Sequence, residues 1–441
     1  MVKIIHMADT HLGYRARRGT INKWAIKNYS KPYEQEIYDI FLRVMEEISN
    51  LKNIDFLVHC GDMFHMPNLN NPFPPPEPAR RVLKTALDIF FKNTKNLVPF
   101  IYIEGNHGIF RGYDYTPFES HINEEIYPNL FYYKEKDLLD SIKENRPLSL
   151  EFNEKNVRFY LFPYFEFESH ESYKAVYNTW IDNQQPPKGD SYINIAVAHG
   201  SLVKRYNEER TIHKKVEYDD FNYDYIALGH QHGLKEVTKN RYYSGSLLPL
   251  NFKECYENQG YLIVNINDQT KKLDIDLVYT HKMLTRSFEM IPINVSPKMS
   301  SEYLKNYVNE ELNKFTSKDG FNPKTSARLK INFTGELTFE KVWQINEFMT
   351  KIRRDIFSQE EKYNILQLVW KVFDISESIE DDITAGTIKE YILEKPDEEF
   401  KDFVIEKLTE DRSQFDINKL TKFGMKAIKS GLKIMEKEKE V

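Results

Sequence analysis

The chain has 441 residues, of which 41% are hydrophobic, so it is long enough to bury a core in two or three domains. No stretch approaches the roughly 20 apolar residues that a membrane-spanning helix needs, and the first apolar run does not resemble a signal peptide. Two cysteines exclude a disulfide scaffold and a cysteine-rich zinc site, and the net charge of −6 gives no global sign of nucleic-acid binding. We expect a soluble protein of the cytoplasm or the nucleoid, or of the nucleus if the source is eukaryotic.

Five short apolar runs, rich in valine, isoleucine and tyrosine, predict buried strands. They cover residues 2–7, 54–59, 98–103, 192–197 and 225–228. Between the first two runs, Ile37, Phe41, Met45 and Ile48 recur at helical spacing, and a second helix is predicted from about 80 to 91. Strands that alternate with helices predict an α/β layered domain.

A polar motif follows each of the five predicted strands. The motifs are Asp9-Thr10-His11, Gly61-Asp62-Met63-Phe64-His65, Gly105-Asn106-His107, His199-Gly200 and Gly229-His230-Gln231-His232. Because ligands of open α/β sheets bind at the carboxyl ends of strands, we expect these side chains to meet at one edge.

The residue types in these motifs match the needs of a dinuclear phosphoesterase site. Two divalent cations about 3.5–4 Å apart generate hydroxide and neutralise charge on the phosphoryl group. Mixed His, Asp and Asn ligation without thiolate suits manganese or a similar metal better than structural zinc. The candidate ligands are Asp9, His11, Asp62, Asn106, His199, His230 and His232. In an extended chain, residues at the spacing of His230 and His232 point the same way.

In this order, the five motifs resemble those of the calcineurin-like metallophosphoesterase superfamily. The sequences Ala8-Asp9-Thr10-His11-Leu12-Gly13, Gly61-Asp62-Met63-Phe64-His65 and Tyr243-Ser244-Gly245-Ser246 further resemble the nuclease subunit of the double-strand-break repair complex. That is the meiotic recombination eleven family, called SbcD in bacteria. The resemblance covers roughly the first 280 residues strongly, and residues 286–288 and 327–333 resemble its capping domain. It implies a layered β-sandwich with flanking helices, a smaller α+β capping domain and a C-terminal helical tail.

The resemblance also implies roles for the motif residues. Asp9, His11, Asp62 and His232 would hold one Mn²⁺, and Asp62, Asn106, His199 and His230 the other, with Mg²⁺ or another divalent metal as a substitute. His107 would stabilise charge at the scissile phosphate or protonate the leaving oxygen, and His65 would orient the substrate phosphate. The family usually has an acidic residue after the Asn-His pair, whereas this chain has Gly108.

The implied activity is that of a manganese-dependent DNA nuclease. It would be a 3′→5′ exonuclease on duplex DNA and an endonuclease on single strands or hairpins, usually as a homodimer. Two alternatives stay open. One is a phosphoesterase that acts on nucleotides or phosphoproteins, which the further domains disfavour, and the other is a non-catalytic DNA-binding scaffold, for which Gly108 is the motive.

The sequence pattern changes after Tyr279. Strands predicted at 286–295 and 328–333 and helices predicted at 302–315 and 339–356 indicate a second, α+β domain. The predicted divisions are a nuclease domain over 1–282, a DNA-contacting capping domain over 283–375, an acidic linker over 376–382 and a helical partner-binding region over 383–441. The proline-rich segment 66–78 would be an altered substrate-facing loop or a tolerated insertion.

Two segments are candidates for contacts with macromolecules. The segment 15–31 is basic and carries interleaved aromatic residues, so it would either bind the DNA backbone or form a solvated surface. Its candidate DNA-binding residues are Arg15, Arg17, Arg18, Lys23 and Lys27. The apolar faces of two helical patterns, 388–408 and 417–434, would dock onto the chain's own second domain or into a partner's groove. By resemblance, that partner would be the SMC-like, coiled-coil ABC-type ATPase called SbcC in bacteria.

Overall fold

The computed structural model describes residues 1–14, 21–22, 32–65, 77–108, 125–165, 176, 180, 183–187, 189–200, 222–283, 286–322, 324–335, 337–359 and 361–374. Within these ranges, fifteen strands and five α-helices are present. None of these helices is both long and apolar enough to cross a membrane.

Six strands form the first sheet. In chain order they are β1 (Val2–Met7), β2 (Phe56–Cys60), β3 (Phe100–Ile103), β4 (Leu130–Tyr133), β11 (Gly260–Ile266) and β12 (Leu273–Tyr279). Their order across the sheet is β12-β11-β1-β2-β3-β4. The neighbours β1 to β4 are parallel, while β11 pairs antiparallel with both β1 and β12. The parallel pairing brings the carboxyl ends of β1, β2 and β3 to one edge.

Six other strands form the second sheet. They are β5 (Ser149–Phe152), β6 (Val157–Phe162), β7 (Ile193–His199), β8 (Tyr225–Gly229), β9 (Lys235–Thr238) and β10 (Arg241–Tyr243). Their order is β5-β6-β7-β8-β10-β9, with parallel pairing from β6 through β7 and β8 to β10. The carboxyl ends of β7 and β8 therefore also share one edge.

An apolar core fills the space between the two sheets. Ile4 and Val58 of the first sheet and Phe159 and Ile195 of the second are fully buried in it. The opposite face of the first sheet packs against helices α1 (Pro32–Ser49) and α2 (Glu77–Asn93). Because both faces of the sheet are covered, its strands have continuous apolar runs. The predicted α/β sandwich with flanking helices is confirmed.

Helix α1 contains all four residues of the predicted apolar stripe. Its residues Ile37, Phe41, Met45 and Ile48 are at most 1% exposed, as the helical spacing predicts. Helix α2 begins at Glu77, three residues before the predicted start. The helix α3 (Glu135–Glu144) was not predicted, and neither was the edge strand β9, whose mostly exposed residues form no apolar run.

A three-stranded sheet follows in the sequence. Its strands β13 (Phe288–Val295), β14 (Ala327–Gly335) and β15 (Ile365–Asp374) lie in chain order, and helices α4 (Ser301–Asn313) and α5 (Phe339–Ser358) connect them. By its internal contacts the described chain separates into two compact units. One comprises Met1–Ile291, Val308–Ile331 and Thr350–Val369, and the other comprises 292–307, 332–349 and 370–374. The domain boundaries expected at 282/283 and 375/376 stay predictions.

Several predicted features lie outside the described residues. These are the basic residues Arg15, Arg17, Arg18, Lys23 and Lys27, the part of the proline-rich segment from 66 to 76, the acidic linker 376–382 and the helical region 383–441.

Candidate metal centre

All seven candidate ligands lie at the carboxyl ends of strands. Asp9 and His11 follow β1, Asp62 follows β2, Asn106 follows β3, His199 ends β7, and His230 and His232 follow β8. Hydrogen bonds and close contacts between these residues, given below, show that the strand ends of both sheets meet at one site. The topology thus places the five sequence motifs side by side.

The backbone at this site is held in an unusual conformation. Asp9, His11 and Asp62 have φ of 52°, 50° and 56°, and His230 has φ of 99°. Positive φ is sterically costly for a residue with a Cβ atom, and such strain concentrates at functional sites. His230 is therefore not extended, so the argument that His230 and His232 point the same way because they lie in an extended chain was wrong. The two rings enter the same site through a bend after β8.

Two motif glycines make room for ligand side chains. A Cβ atom on Gly61 would lie 2.2 Å from His199 Nδ1, and one on Gly105 would lie 2.2 Å from Asp62 Oδ1. Both separations are far below contact distance, so any other residue at these positions would displace a ligand. Gly61 also has φ of 95°, a conformation that glycine adopts readily.

Asp9, His11 and His232 form the first group of potential metal ligands. His11 Nε2 lies 3.0 Å from His232 Nε2 and 4.0 Å from Asp9 Oδ1. Asp9 is fully buried, and its Oδ1 has no hydrogen-bond partner among the described residues, while its Oδ2 accepts a hydrogen bond from the His230 main-chain N–H at 2.8 Å. A buried carboxylate oxygen without a donor is costly unless it is paired or binds a cation.

Asp62, Asn106, His199 and His230 form the second group. The Asn106 Oδ1 atom lies 2.8 Å from His199 Nε2 and 3.1 Å from His230 Nδ1. Asp62 Oδ2 lies 3.4 Å from His199 Nε2 and 3.7 Å from His11 Nε2. This one oxygen therefore lies between the two groups, where a bridging carboxylate of a dinuclear site must lie.

Two rings direct one nitrogen into the site because the other nitrogen is engaged outside it. His199 Nδ1 donates to the main-chain oxygen of Cys60 at 2.7 Å, which leaves Nε2 facing Asp62. His232 Nδ1 donates to Glu254 Oε1 at 2.8 Å, which leaves Nε2 facing His11. A metal-binding histidine characteristically donates its remote N–H to a carbonyl or a carboxylate. These contacts, together with the unpaired Asp9 oxygen, fit a pair of divalent cations.

The pKa values of the two buried carboxyl groups are shifted in opposite directions. Burial raises the pKa of Asp9 to about 6. Burial also opposes ionisation of Asp62, but the charges of His199 and His107 outweigh it and hold the pKa of this carboxyl well below its usual range. Asp62 is thus an anion at neutral pH, as a bridging ligand requires.

Without a cation, protons on two histidines balance this negative charge. Burial opposes the charged ring of His199, but the Asp62 carboxylate outweighs it and raises the pKa to about 9. Burial likewise opposes the charged ring of His232, but the hydrogen bond to Glu254 raises its pKa to about 9. A cation that binds either ring through its Nε2 must displace a proton.

The rings of His11, His230 and His65 are neutral. Burial lowers the pKa of His11 well below its usual value, that of His230 to about 4 and that of His65 to about 3. Neutral imidazole is the form that carries a nitrogen lone pair for a metal or for a hydrogen bond.

His65 and His107 lie beside the first group. Their rings stack with centroids 4.8 Å apart. Each ring also makes an edge-to-face contact with the His11 ring, with centroid distances of 5.1 Å for His65 and 4.9 Å for His107. His65 Nδ1 lies 3.1 Å from His11 Nδ1, and the His107 main-chain N–H donates to Asp62 Oδ1 at 2.8 Å. Both side chains are half-buried, so part of each ring is accessible to solvent beside the first group.

The structure gives a physical reason for Gly108. A Cβ atom at this position would lie 2.7 Å from Cγ and 3.0 Å from Oε1 of Glu104. The Glu104 residue is 3% exposed, and its Oε1 accepts a hydrogen bond from the Tyr132 hydroxyl at 2.9 Å. A buried carboxylate from the residue before the Gly-Asn-His turn thus occupies the space that a side chain at 108 would need.

Sequence reasoning missed the residues that support the ligands. Cys60 and Glu104 each directly precede a motif, whereas Glu254 lies far from every motif in the sequence. The Cys60 thiol is buried in the core, and burial raises its pKa well above the usual value. His6 and His59 are buried, and their rings are hydrogen-bonded to Tyr225 and Thr10. No sequence pattern singles out Glu254.

Comparison with known proteins agrees with this geometry. A sequence model of the calcineurin-like phosphoesterase family matches residues 2–234. A curated relative, the SbcD component of the SbcCD nuclease of Staphylococcus saprophyticus, is 27% identical over 287 residues. That alignment covers 61% of this chain and 66% of the relative, so it spans just under two thirds of the relative's length. Because the family match includes every candidate ligand and more than half of the chain, this protein belongs to the calcineurin-like phosphoesterase family.

Proposed function

We propose that this phosphoesterase is a manganese-dependent DNA nuclease that processes DNA ends in double-strand-break repair. The observation that carries the proposal is the position of Asp62 Oδ2, which lies 3.7 Å from His11 Nε2 and 3.4 Å from His199 Nε2, in one cluster with the buried Asp9. Two bound divalent cations would supply an activated hydroxide and neutralise charge on a phosphodiester.

The seven candidate ligands would bind the two metal ions, and two further histidines would contact the substrate. Asp62 would bridge, with Asp9, His11 and His232 on one side and Asn106, His199 and His230 on the other. His107, whose ring lies 4.9 Å from the His11 ring, would stabilise charge on the phosphate or protonate the leaving oxygen. The stacked ring of His65 would orient the phosphate. Its contact with the His11 ring supports a role in substrate placement beside the first group.

The choice of DNA as substrate is supported by the relative, whose name describes a nuclease. The proposed activities are 3′→5′ exonuclease on duplex DNA and endonuclease on single strands or hairpins. The test is digestion of end-labelled duplex with the full chain and Mn²⁺, with unlabelled duplex as competitor. Shortening from the 3′ end is expected. Hydrolysis of free nucleotides that duplex DNA does not inhibit would favour the nucleotide phosphoesterase, and DNA binding without cleavage would favour the scaffold.

Further parts of the proposal concern partners. We propose that 283–375 contacts DNA, that the basic residues Arg15, Arg17, Arg18, Lys23 and Lys27 bind its backbone, and that the protein forms a homodimer. The helical region 383–441 would bind a coiled-coil ABC-type ATPase, since the relative belongs to a complex named SbcCD. Truncation after Asp382 should leave manganese-dependent cleavage nearly unchanged and abolish co-purification of the ATPase. Unaltered affinity of the truncated chain for the ATPase would reject this docking element.

A further inference from the structure

We propose that Glu254 is a positioning residue that fixes the His232 ring, so that Nε2 is the nitrogen presented to a metal ion. This inference deepens the proposed function and rests on its metal centre. Glu254 Oε1 accepts the Nδ1–H of His232 at 2.8 Å, on the side of the ring that faces away from His11. A proton kept on Nδ1 leaves the lone pair on Nε2, and the direction of the hydrogen bond sets the plane of the ring.

Glu254 is itself held in place. The residue is 7% exposed, and its Oε2 accepts the Leu250 main-chain N–H at 2.7 Å. The side-chain amide of Asn251 donates to Oε1, and the Gln259 amide donates to the Glu254 main-chain oxygen at 2.9 Å. Both carboxylate oxygens therefore have donors from the chain. A buried carboxylate so fully bonded is a fixed reference point for the ring that it contacts.

The turn that carries Glu254 is also anchored through its neighbour Phe252. The Phe252 ring lies 4.7 Å from the Phe288 ring. The guanidinium carbon of Arg328 lies 4.0 Å above Phe288 and 5.5 Å from Phe252, and its Nε donates to Gln367 Oε1 at 2.9 Å. These edge-to-face ring contacts and cation–π contacts stabilise the position of the turn. Packing on one side and hydrogen bonds on the other thus hold the carboxylate against His232.

The first experiment measures Mn²⁺ binding to the full chain by calorimetry. Glu254→Ala should lower the affinity for one of the two ions by about tenfold to a hundredfold. This is the usual loss when the hydrogen-bond partner of a ligating histidine is removed. Glu254→Gln keeps an acceptor oxygen and should restore part of the affinity. Glu257→Ala is the matched control, because it removes a carboxylate on the same turn whose charge also acts on His232, while the hydrogen bond of the ring is to Glu254. It should weaken binding far less than Glu254→Ala.

The second experiment does not depend on metal. In the metal-free protein, proton NMR should show a downfield, slowly exchanging Nδ1 proton of His232, which Glu254→Ala should remove and Glu257→Ala should keep. Persistence of that proton in Glu254→Ala, or wild-type metal affinity in that variant, would overturn the assignment. If wild type bound no ion, the proposed metal centre would fail, whereas loss of the proton in Glu254→Ala would still show that Glu254 fixes the ring.

Discussion

Charged side chains are buried in two regions of this protein, and the two regions treat them differently. Near the three-stranded sheet, Arg286 is 8% exposed and donates to Glu36 at 2.6 Å and to the Ser326 carbonyl at 2.8 Å. At the strand ends of the two large sheets, Asp9 is fully buried, yet its Oδ1 has no donor in the part of the chain that the structure describes. Burial with complete pairing indicates a structural role, whereas burial with an unpaired atom among imidazoles indicates a ligand site.

The backbone follows the same division. Four of the candidate metal ligands have positive φ, whereas no non-glycine residue described between 288 and 374 does. Strained backbone persists where surrounding contacts over-determine it, and it is common where side chains must converge on a ligand. Positive φ also occurs in turns and loops outside the site, at Asn53, Lys95, Asn96, Asn145, Asn156 and Lys271. The combination of positive φ with buried, converging polar side chains is therefore what distinguishes the site.

The largest expected effect is that of Asp62→Ala. Removal of the oxygen between the two groups should abolish metal-dependent phosphodiesterase activity, by at least about a thousandfold, because metal sites supply several kcal/mol to the transition state. His230→Ala should act similarly. Asp55→Ala is the matched control, since Asp55 lies at the other end of β2 and caps the Lys3 N–H. Rates of cleavage and thermal unfolding check both variants, and full activity of Asp62→Ala would reject the dinuclear site.

His107→Ala should separate chemistry from ligation. The variant should bind both metal ions with wild-type affinity and lose about a hundredfold to ten-thousandfold in cleavage rate, the range typical of general acid–base groups. Calorimetry and cleavage assays measure the two quantities. Loss of an ion in this variant would show that His107 is a ligand. By the family resemblance, His65→Ala should impair exonuclease action more than endonuclease action.

The sequence was sufficient to place the candidate ligands at the ends of strands, but it was insufficient to identify the residues that support them. Strand-end motifs are visible because each follows a continuous apolar run, and β1, β2, β3, β7 and β8 were all predicted. Glu254 lies 22 residues beyond His232 in a turn, and only tertiary packing brings its carboxylate to the ring. Glu104 and Gly108 are related by shared volume, which no spacing rule reveals. The polar, exposed strand β9 lacked the apolar alternation on which strand prediction depends.

A substitution at Arg286, near the three-stranded sheet, should lower stability and leave metal binding unchanged. Arg286→Met leaves the Glu36 carboxylate buried without its partner and should lower the free energy of unfolding by about 3–5 kcal/mol. Metal affinity should stay unchanged. Arg43→Met is the control, because Arg43 lies on helix α1, as Glu36 does. The Arg43–Glu47 pair is exposed and should contribute at most about 1 kcal/mol to the free energy of unfolding. Denaturant unfolding measures both, and a weaker metal affinity in Arg286→Met would erase the distinction between the regions.

The last expected effect is the pH dependence of metal binding. Because the pKa values of His199 and His232 are raised to about 9, each ring is protonated at neutral pH and must lose a proton to bind a cation. Affinity should therefore rise by about tenfold per pH unit for each proton released, and level off above pH 9. Calorimetry in buffers of different ionisation enthalpy counts the protons. A pH-independent affinity between about pH 7 and pH 9 would contradict these pKa shifts.

The most direct test of the dinuclear metal centre is a crystal structure of the full chain soaked with Mn²⁺, with anomalous diffraction recorded at the manganese edge. We predict two anomalous peaks about 3.5–4 Å apart, both in contact with Asp62, one beside His11 and His232 and the other beside Asn106 and His199. A single peak away from Asp62, or no peak at this edge of the sheets, would contradict a dinuclear centre bridged by Asp62.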